Sequence, residues 1–334
     1  MKKIVGYLIL ILINYLLISL IVLTFSIISL KNNKVYDLFW IKFVQKNLYF
    51  KTGFRNIFQH STGCVEFDKE LIYSPKPGEC NFSNAEFNTK LNFDEYKRLN
   101  LVDDSIKKND EIIAVLGDSI AMGWGVNNNE TFSYQLQKLS GKKVINLGVS
   151  SYGTIREIKR LKKNENYNQI DTIIIQYHPN DYGENISMNP QKTYSEKEFK
   201  NFFNSHKDES SSFKMLFKLF KKTLRLSVSH LSDLLFPEAN KEIIYFNKHL
   251  ELLQKIISKN FINEDKKIIV FTTVEPWERF EYDKAKKYQN FDLIEIKFKK
   301  HHKFIIDDHP NKLGHIEIAK ILDKFLSTNM TSGK

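Results

Sequence analysis

The sequence predicts an α/β domain built on a parallel sheet, carried by an N-terminal transmembrane helix and interrupted by a helical insertion. Three observations predict it. Short unbroken apolar runs recur at Ile112–Leu116, within Lys142–Gly148, at Asp171–Tyr177 and at Lys266–Val274, each of a length that suits a strand buried on both faces. Segments with helical spacing alternate with these runs, which is the rhythm of a parallel sheet. The 27 residues from Ile4 to Leu30 are almost wholly apolar, and about 20 helical residues cross a bilayer core. The chain divides accordingly into an anchor (1–31), a stem and lead-in (32–110) and the α/β domain (111–330), with the insertion at about 188–247.

The anchor is too long for a signal-peptide core and no small-x-small cleavage site follows it, so it reads as uncleaved. Gly6, Asn14 and a few Ser and Thr interrupt it, and Asn14 reads as a tolerated polar residue rather than a helix–helix contact. Lys2 and Lys3 precede the span, whereas Lys31, Lys34, Lys42 and Lys46 follow it. A plain count of these lysines places the remainder of the chain in the cytoplasm, but long domains translocate largely regardless of such charges. The only cysteines, Cys64 and Cys80, both follow the span in a loop-rich stretch. Such a pair reads as a disulfide formed in an oxidising compartment, the alternative being two unrelated reduced thiols. The exported, periplasmic or extracytoplasmic orientation is favoured.

The net charge is +11 and the isoelectric point about 9.2. The excess is diffuse lysine without a zinc-finger spacing or an RNP-like aromatic motif, so nucleic acid is not an expected partner. A lysine-rich solvated surface, resting against anionic head groups, accounts for it.

In the stem, Tyr36, Phe39, Trp40, Phe43 and Tyr49 suit a segment lying along the membrane surface. Pro75, Pro77 and Gly78 then mark an ordered, turn-rich lead-in to which no chemistry is assigned. The first strand, Ile112–Leu116, runs into Gly117, Asp118 and Ser119, with Gly123 and Gly125 just beyond. A helix carrying Phe132, Leu136 and Leu139 follows and stops at Gly141. The second strand leads out through Asn146, Leu147 and Gly148, and a helix from Thr154 to about Lys163 follows. The third runs into His178, Pro179, Asn180 and Asp181, and the fourth into Glu275, Pro276 and Trp277. A short apolar run, Lys303–Ile306, precedes Asp307, Asp308 and His309, and a last helix, Pro310–Leu326, carries an apolar face of Leu313, Ile318, Ile321, Leu322 and Phe325. Within the insertion, Phe213–Phe236 has amphipathic helical spacing. It reads as a helix packed on the domain, a cap over a pocket, or a membrane-surface helix.

Polar residues thus gather after the strands, on the edge where open α/β sheets bind ligands. Gly-Asp-Ser alone is a weak signal, because the same residues serve as an ordinary helix start. The combination says more. Ser119 is a candidate nucleophile, which needs a base. His309 is a candidate base, and Asp307 orients it as the third member of a triad. The Ser119 and Gly148 backbone N–H groups and the Asn180 amide are candidate oxyanion donors. His301, His302, His309 and His315 lack a matching acidic or cysteine set at ligand spacing, so no metal is expected.

These motifs resemble the SGNH hydrolase superfamily, the GDSL lipase/esterase family. The resemblance is carried by Gly117-Asp118-Ser119 with Gly123 and Gly125, by Asn146-Leu147-Gly148, by Asn180-Asp181, and by Asp307-Asp308-His309-Pro310-Asn311 with Gly314-His315. It covers about residues 111–326 and leaves out the anchor, stem and insertion. It implies a three-layer α/β/α, flavodoxin-like domain performing acyl transfer without metal or other cofactor. It also implies Ser119, His309 and Asp307 as the triad and Ser119, Gly148 and Asn180 as the oxyanion hole. Two departures stand out. His178 occupies the place where a Gly is usual, two residues before Asn180, and can narrow the pocket or add a titrating group. The usual Asp-x-x-His spacing would put the acid at Ile306. The acids present are Asp307 and Asp308, and Asp307 is favoured because adjacent side chains rarely point the same way. The expected activity is a membrane-anchored serine esterase removing small acyl groups, such as acetyl, from cell-surface glycans or lipids. An O-acyltransferase with the same residues, a lipase acting on its own membrane, and a non-catalytic glycan-binding or assembly protein are the alternatives.

Overall fold

The chain begins with α1 (Lys2–Lys31), an apolar helix long enough to cross a bilayer. Its 30 residues span about 45 Å, whereas a bilayer core is about 30 Å thick. The two parts of α1 differ accordingly. Ile4, Ile11, Ile18 and Ile21 are exposed, but Leu23 and Leu30 are buried against Val44, Leu48 and Tyr49 of α2 (Phe39–Lys51). Ile306, from the far end of the chain, is buried in the same cluster. The stem segment with its aromatics is thus a helix folded back onto the C-terminal turns of α1.

This computed structural model describes residues 2–51, 53–95, 97–99, 111–188, 192–204, 241–273 and 290–331. The amphipathic stretch Phe213–Phe236 and the Glu275-Pro276-Trp277 turn lie outside the described residues.

The lead-in forms two antiparallel hairpins, β1 (Val65–Asp68) with β2 (Ile72–Pro75) and β3 (Gly78–Asn84) with β4 (Phe87–Phe93). A disulfide joins Cys64 to Cys80 across their bases, with Cα atoms 5.3 Å apart. Beyond β4, Arg98 pairs with Asn146 and fastens the second hairpin to the edge of the main sheet.

That sheet holds β5 (Ile112–Gly117), β6 (Lys143–Asn146), β7 (Ile170–Gln176), β8 (Lys267–Thr272) and β9 (Asp292–Glu295), all parallel, in the order β6-β5-β7-β8-β9. Between them run α3 (Ser119–Met122), α4 (Phe132–Ser140), α5 (Thr154–Lys162), α6 (Asp181–Ser187), α7 (Glu196–Asn204) and α8 (Lys241–Phe261), and α9 (Lys312–Thr331) closes the fold. Every residue of β5 is buried, and the period of two sends its side chains to two cores. Ile112, Ala114 and Leu116 meet Ile158 and Leu161 of α5 and Leu250, Leu253 and Ile257 of α8. Ile113 and Val115 meet Phe132 and Leu136 of α4 and Ile318 and Leu322 of α9. The result is three layers, α/β/α. Each such side chain contributes about 1.5–3 kcal/mol on burial.

The short apolar run Lys303–Ile306 lies in a loop closed by a bridge between Lys303 and Pro310, and the fifth strand of the sheet is β9. The boundary expected near residue 247 falls inside α8, a continuous helix whose C-terminal half belongs to the core. Strand order reverses at β5, with β6 on one side and β7 on the other, which opens a crevice at its C-terminal end.

Candidate active site

The crevice begins at the turn after β5. Gly117 adopts φ +143°, and a Cβ there would lie 2.7 Å from the Cβ atoms of Ala121 and Gln176, so a side chain is excluded twice over. Asp118 caps α3, its Oδ1 accepting from the Ile120 N–H at 3.1 Å. Gln176, on the neighbouring strand, steadies the turn from the other side by accepting from the N–H groups of Asp118 (3.2 Å) and Ala121 (3.3 Å). The buried Arg98 guanidinium secures the end of α3, donating to the carbonyls of Gly123 (2.8 Å) and Val126 (2.6 Å) and to Asn128 Oδ1 (3.0 Å). Burial lowers its pKa to about 9.

Ser119, the first residue of α3, is brought to His309 and Asp307 from the loop before α9. Ser119 Oγ lies 2.8 Å from His309 Nε2, and His309 Nδ1 makes a short hydrogen bond to Asp307 Oδ1. The carboxylate makes Nδ1–H the donor and leaves Nε2 to accept from the serine hydroxyl, the tautomer a base requires. Burial works against the Asp307 charge, yet His309 together with Arg55 and the Tyr49 hydroxyl brings its pKa down to about 2. Asp308 takes no part in this relay. It sits at φ +66° with its carboxylate turned outward to Lys46 Nζ at 2.5 Å. Of the two acids left open by the sequence, Asp307 is the one that faces the base. Its loop is held by Glu86, which accepts from the N–H groups of Ile305 (2.5 Å), Ile306 (2.9 Å) and Asp307 (2.9 Å). Trp124 stacks on the His309 ring, with centroids 5.0 Å apart and planes at 18°.

These groups open into a cavity of about 410 Å³. Asn180 and His178 line it with Ser119, Asp307, Asp308 and His309. His178 Nδ1 is 2.7 Å from Asn180 Oδ1, and Asn180 Nδ2 donates to Asp118 Oδ2 at 3.3 Å. The residue that departs from the usual glycine therefore fixes which way the Asn180 amide faces. Gly148 requires a correction. Its N–H donates to Asn146 Oδ1 at 3.0 Å, and the residues of its loop that line the cavity are Ser150 and Ser151. Gly148 is small for another reason: a Cβ there would stand 2.4 Å from the Met122 backbone nitrogen, under α3. Ser151, at φ +62°, accepts from Gln59 Nε2 at 3.0 Å.

Of the histidines set aside as metal ligands, His301 and His302 lie edge to face in one turn, with ring centroids 4.3 Å apart. His315 is buried, accepts from the Phe132 N–H at 3.1 Å, and has its pKa lowered to about 3 by burial. Among the described residues, no group of three or more His, Cys, Asp or Glu converges as a metal site. What the sequence reading missed is the contribution of the stem and lead-in: Tyr49, Arg55 and Glu86 touch Asp307, and Gln59 touches Ser151 on the cavity wall. Trp124 stood within the Gly117–Gly125 stretch, where its place between two glycines was the available signal.

No protein-family model and no curated protein matches the chain. Solved structures do match. One is a protein assigned to the G-D-S-L lipolytic family from Desulfitobacterium hafniense DCB-2, at 11% identity and TM-score 0.37, covering 64% of this chain and 99% of that one. Another is an acetyl xylan esterase from the rumen bacterium Butyrivibrio proteoclasticus, at 13% identity and TM-score 0.37, covering 69% and 66% of the two chains. A third is a carbohydrate esterase family 2 enzyme from Corynascus thermopiles (Myceliophthora fergusii), at 12% identity and TM-score 0.37, covering 68% of each. At such low identity and TM-score the chain's own geometry has to carry the functional reading.

Proposed function

We propose that the protein is a serine esterase that acts through an acyl-enzyme and is held at a membrane by α1. The observation that carries this reading is the unbroken relay from Ser119 through His309 to Asp307, set at the C-terminal edge of the sheet with an amide beside it. Ser119 Oγ attacks the ester carbonyl carbon while His309 Nε2 takes its proton. The developing oxyanion is held by the Ser119 N–H and the Asn180 amide, with Ser151 replacing Gly148 as the residue of that loop on the cavity wall. Collapse expels the alcohol, protonated by His309. Water, or a hydroxyl of an acceptor sugar, then attacks the acyl-enzyme with His309 again as base. Asp307 keeps the imidazole in the working tautomer and offsets its charge.

The acyl group in this reading is small, such as acetyl, carried on a cell-surface glycan or lipid, and the cavity of about 410 Å³ has room for it together with part of the alcohol it esterifies. The Cys64–Cys80 pairing supports an exported domain facing the periplasm or cell exterior. The test is acetate release from p-nitrophenyl acetate and acetylated xylan by the full-length protein in detergent, with fluorophosphonate labelling. Ser119→Ala is expected to abolish labelling and to lower kcat by about 10³-fold or more. Full turnover in that variant would remove the mechanism.

A further inference from the structure

We propose that Tyr49 and Arg55, supplied by the segment that follows the membrane helix, are positioning residues for the Asp307–His309 pair, so that the reaction site is completed from the anchor side. The kinetic part of this inference rests on the esterase reading; the contacts do not. Asp307 divides its oxygens. Oδ1 holds His309 Nδ1, and Oδ2 takes the Tyr49 hydroxyl and lies 3.5 Å from Arg55 Nε. A carboxylate with one oxygen unbound can turn about its last bond and carry the imidazole with it. The Tyr49 O–H removes that freedom, because donors to both oxygens fix the carboxylate plane.

Both residues are themselves held. Tyr49 is 1% exposed and packs with Leu48, Leu23, Leu30 and Ile306, so its hydroxyl is aimed by the same cluster that docks α1. The Arg55 guanidinium carbon lies 4.6 Å from the centre of the Trp124 ring and 4.9 Å from that of Phe50. Trp124 in turn stacks on His309. Arg55 therefore reaches the pair twice, by charge at Asp307 and by stacking through Trp124. Neither residue belongs to the α/β domain, and neither touches the carbonyl carbon Ser119 would attack. Their action is on the geometry of the acid and base.

The test uses the full-length protein in detergent micelles. Tyr49→Phe removes only the hydroxyl and keeps the buried ring. Arg55→Gln removes the charge, and Arg55→Lys keeps it. Three quantities are read: kcat and KM for p-nitrophenyl acetate, rescue by lysine, and the low-field proton resonance of the His309 Nδ1–Asp307 hydrogen bond. Tyr49→Phe is expected to lower kcat by about tenfold with KM within about twofold, the scale of one lost hydrogen bond to a charged group. Arg55→Gln lowers kcat at least as far, Arg55→Lys recovers most of it, and the low-field resonance moves or is lost in Tyr49→Phe and Arg55→Gln. Wild-type kcat and an unchanged resonance in Tyr49→Phe and Arg55→Gln would overturn the proposal. If Arg55→Gln fails to fold, Tyr49→Phe decides alone. A wild-type protein that hydrolyses no ester, with the resonance still moved by Tyr49→Phe, would remove the esterase reading and leave the positioning role in place.

Discussion

Asp307 and Asp308 are neighbours with opposite fates, and the backbone is the reason. Asp308 adopts φ +66°, which turns its carboxylate out to Lys46, while Asp307 points inward to His309. Asp307→Asn is expected to lower kcat by about 10³- to 10⁴-fold, because the carboxamide no longer enforces the working tautomer. Asp308→Asn should stay within about fivefold of wild type, since removing a surface pair costs at most about 1 kcal/mol. The Asp307 substitution also has a pH signature. The folded carboxyl sits at about 2 against an ordinary 3.8, so its charge stabilises the fold above about pH 4 and that stabilisation is lost as pH falls through about 2. Wild type should exceed Asp307→Asn by about 2 kcal/mol at pH 7, with the gap narrowing from pH 4 to pH 2 in denaturant titrations. At this scale the sequence was legible for the groups that lie together around Ser119. Alternation of adjacent side chains favoured Asp307, and His309, unremarkable alone at a helix start, was marked by appearing together with Ser119, an acid and candidate oxyanion donors. Tyr49 was not legible, because it approaches Asp307 from 258 positions away, and nothing local to either residue records that contact.

At the scale of elements, the nucleophile turn shows what pattern reading reaches and what it misses. The apolar run of β5 and the Gly-Asp-Ser that ends it were plain, because a doubly buried strand leaves an unbroken apolar signature. The strand β9 was not. It has four residues, and the burial of its side chains follows no clean alternation, so it left no such signature. Gly148 was assigned an anion to hold, but Asn146, two residues earlier, turns back to take its N–H, a local closure of the kind asparagine favours. What keeps α3 in place is Arg98, which the sequence shows only as one more basic residue in the lead-in. Arg98→Met would leave the carbonyls of Gly123 and Val126 and the Asn128 amide oxygen without this donor in a buried setting. A loss of about 3 kcal/mol or more in chemical denaturation is expected, with slower fluorophosphonate labelling as the turn loosens. A variant as stable as wild type, labelled at the same rate, would contradict this role.

At the scale of the whole molecule, the boundary between anchor and domain drawn from composition does not coincide with the boundary drawn by packing. Hydropathy separates a membrane helix from a polar stem. Packing instead places the last turns of α1, one face of α2 and the loop before His309 around one apolar cluster. Gln45, in the middle of α2, holds the link between α1 and α2 by accepting from the Tyr36 N–H (3.0 Å) and donating to the Lys34 carbonyl (2.9 Å). A chain beginning at residue 52 would keep every residue of the triad and still lose Val44, Leu48 and Tyr49. That uncovers Ile306, which is fully buried in the intact protein and adjoins Asp307. Water would then reach an acid now shielded, and His309 would lose a rigid partner. Such a chain is expected to hydrolyse p-nitrophenyl acetate at least about tenfold more slowly than full-length protein, through kcat rather than KM. A chain beginning at residue 32, which keeps α2 but not the turns of α1 that cover it, should fall between the two. Equal kcat in all three would mean that the α/β domain organises its own acid, and that the anchor only tethers it. The expected order would mean that catalysis and attachment share one hydrophobic core, so that the enzyme works at full rate only when seated on its membrane helix.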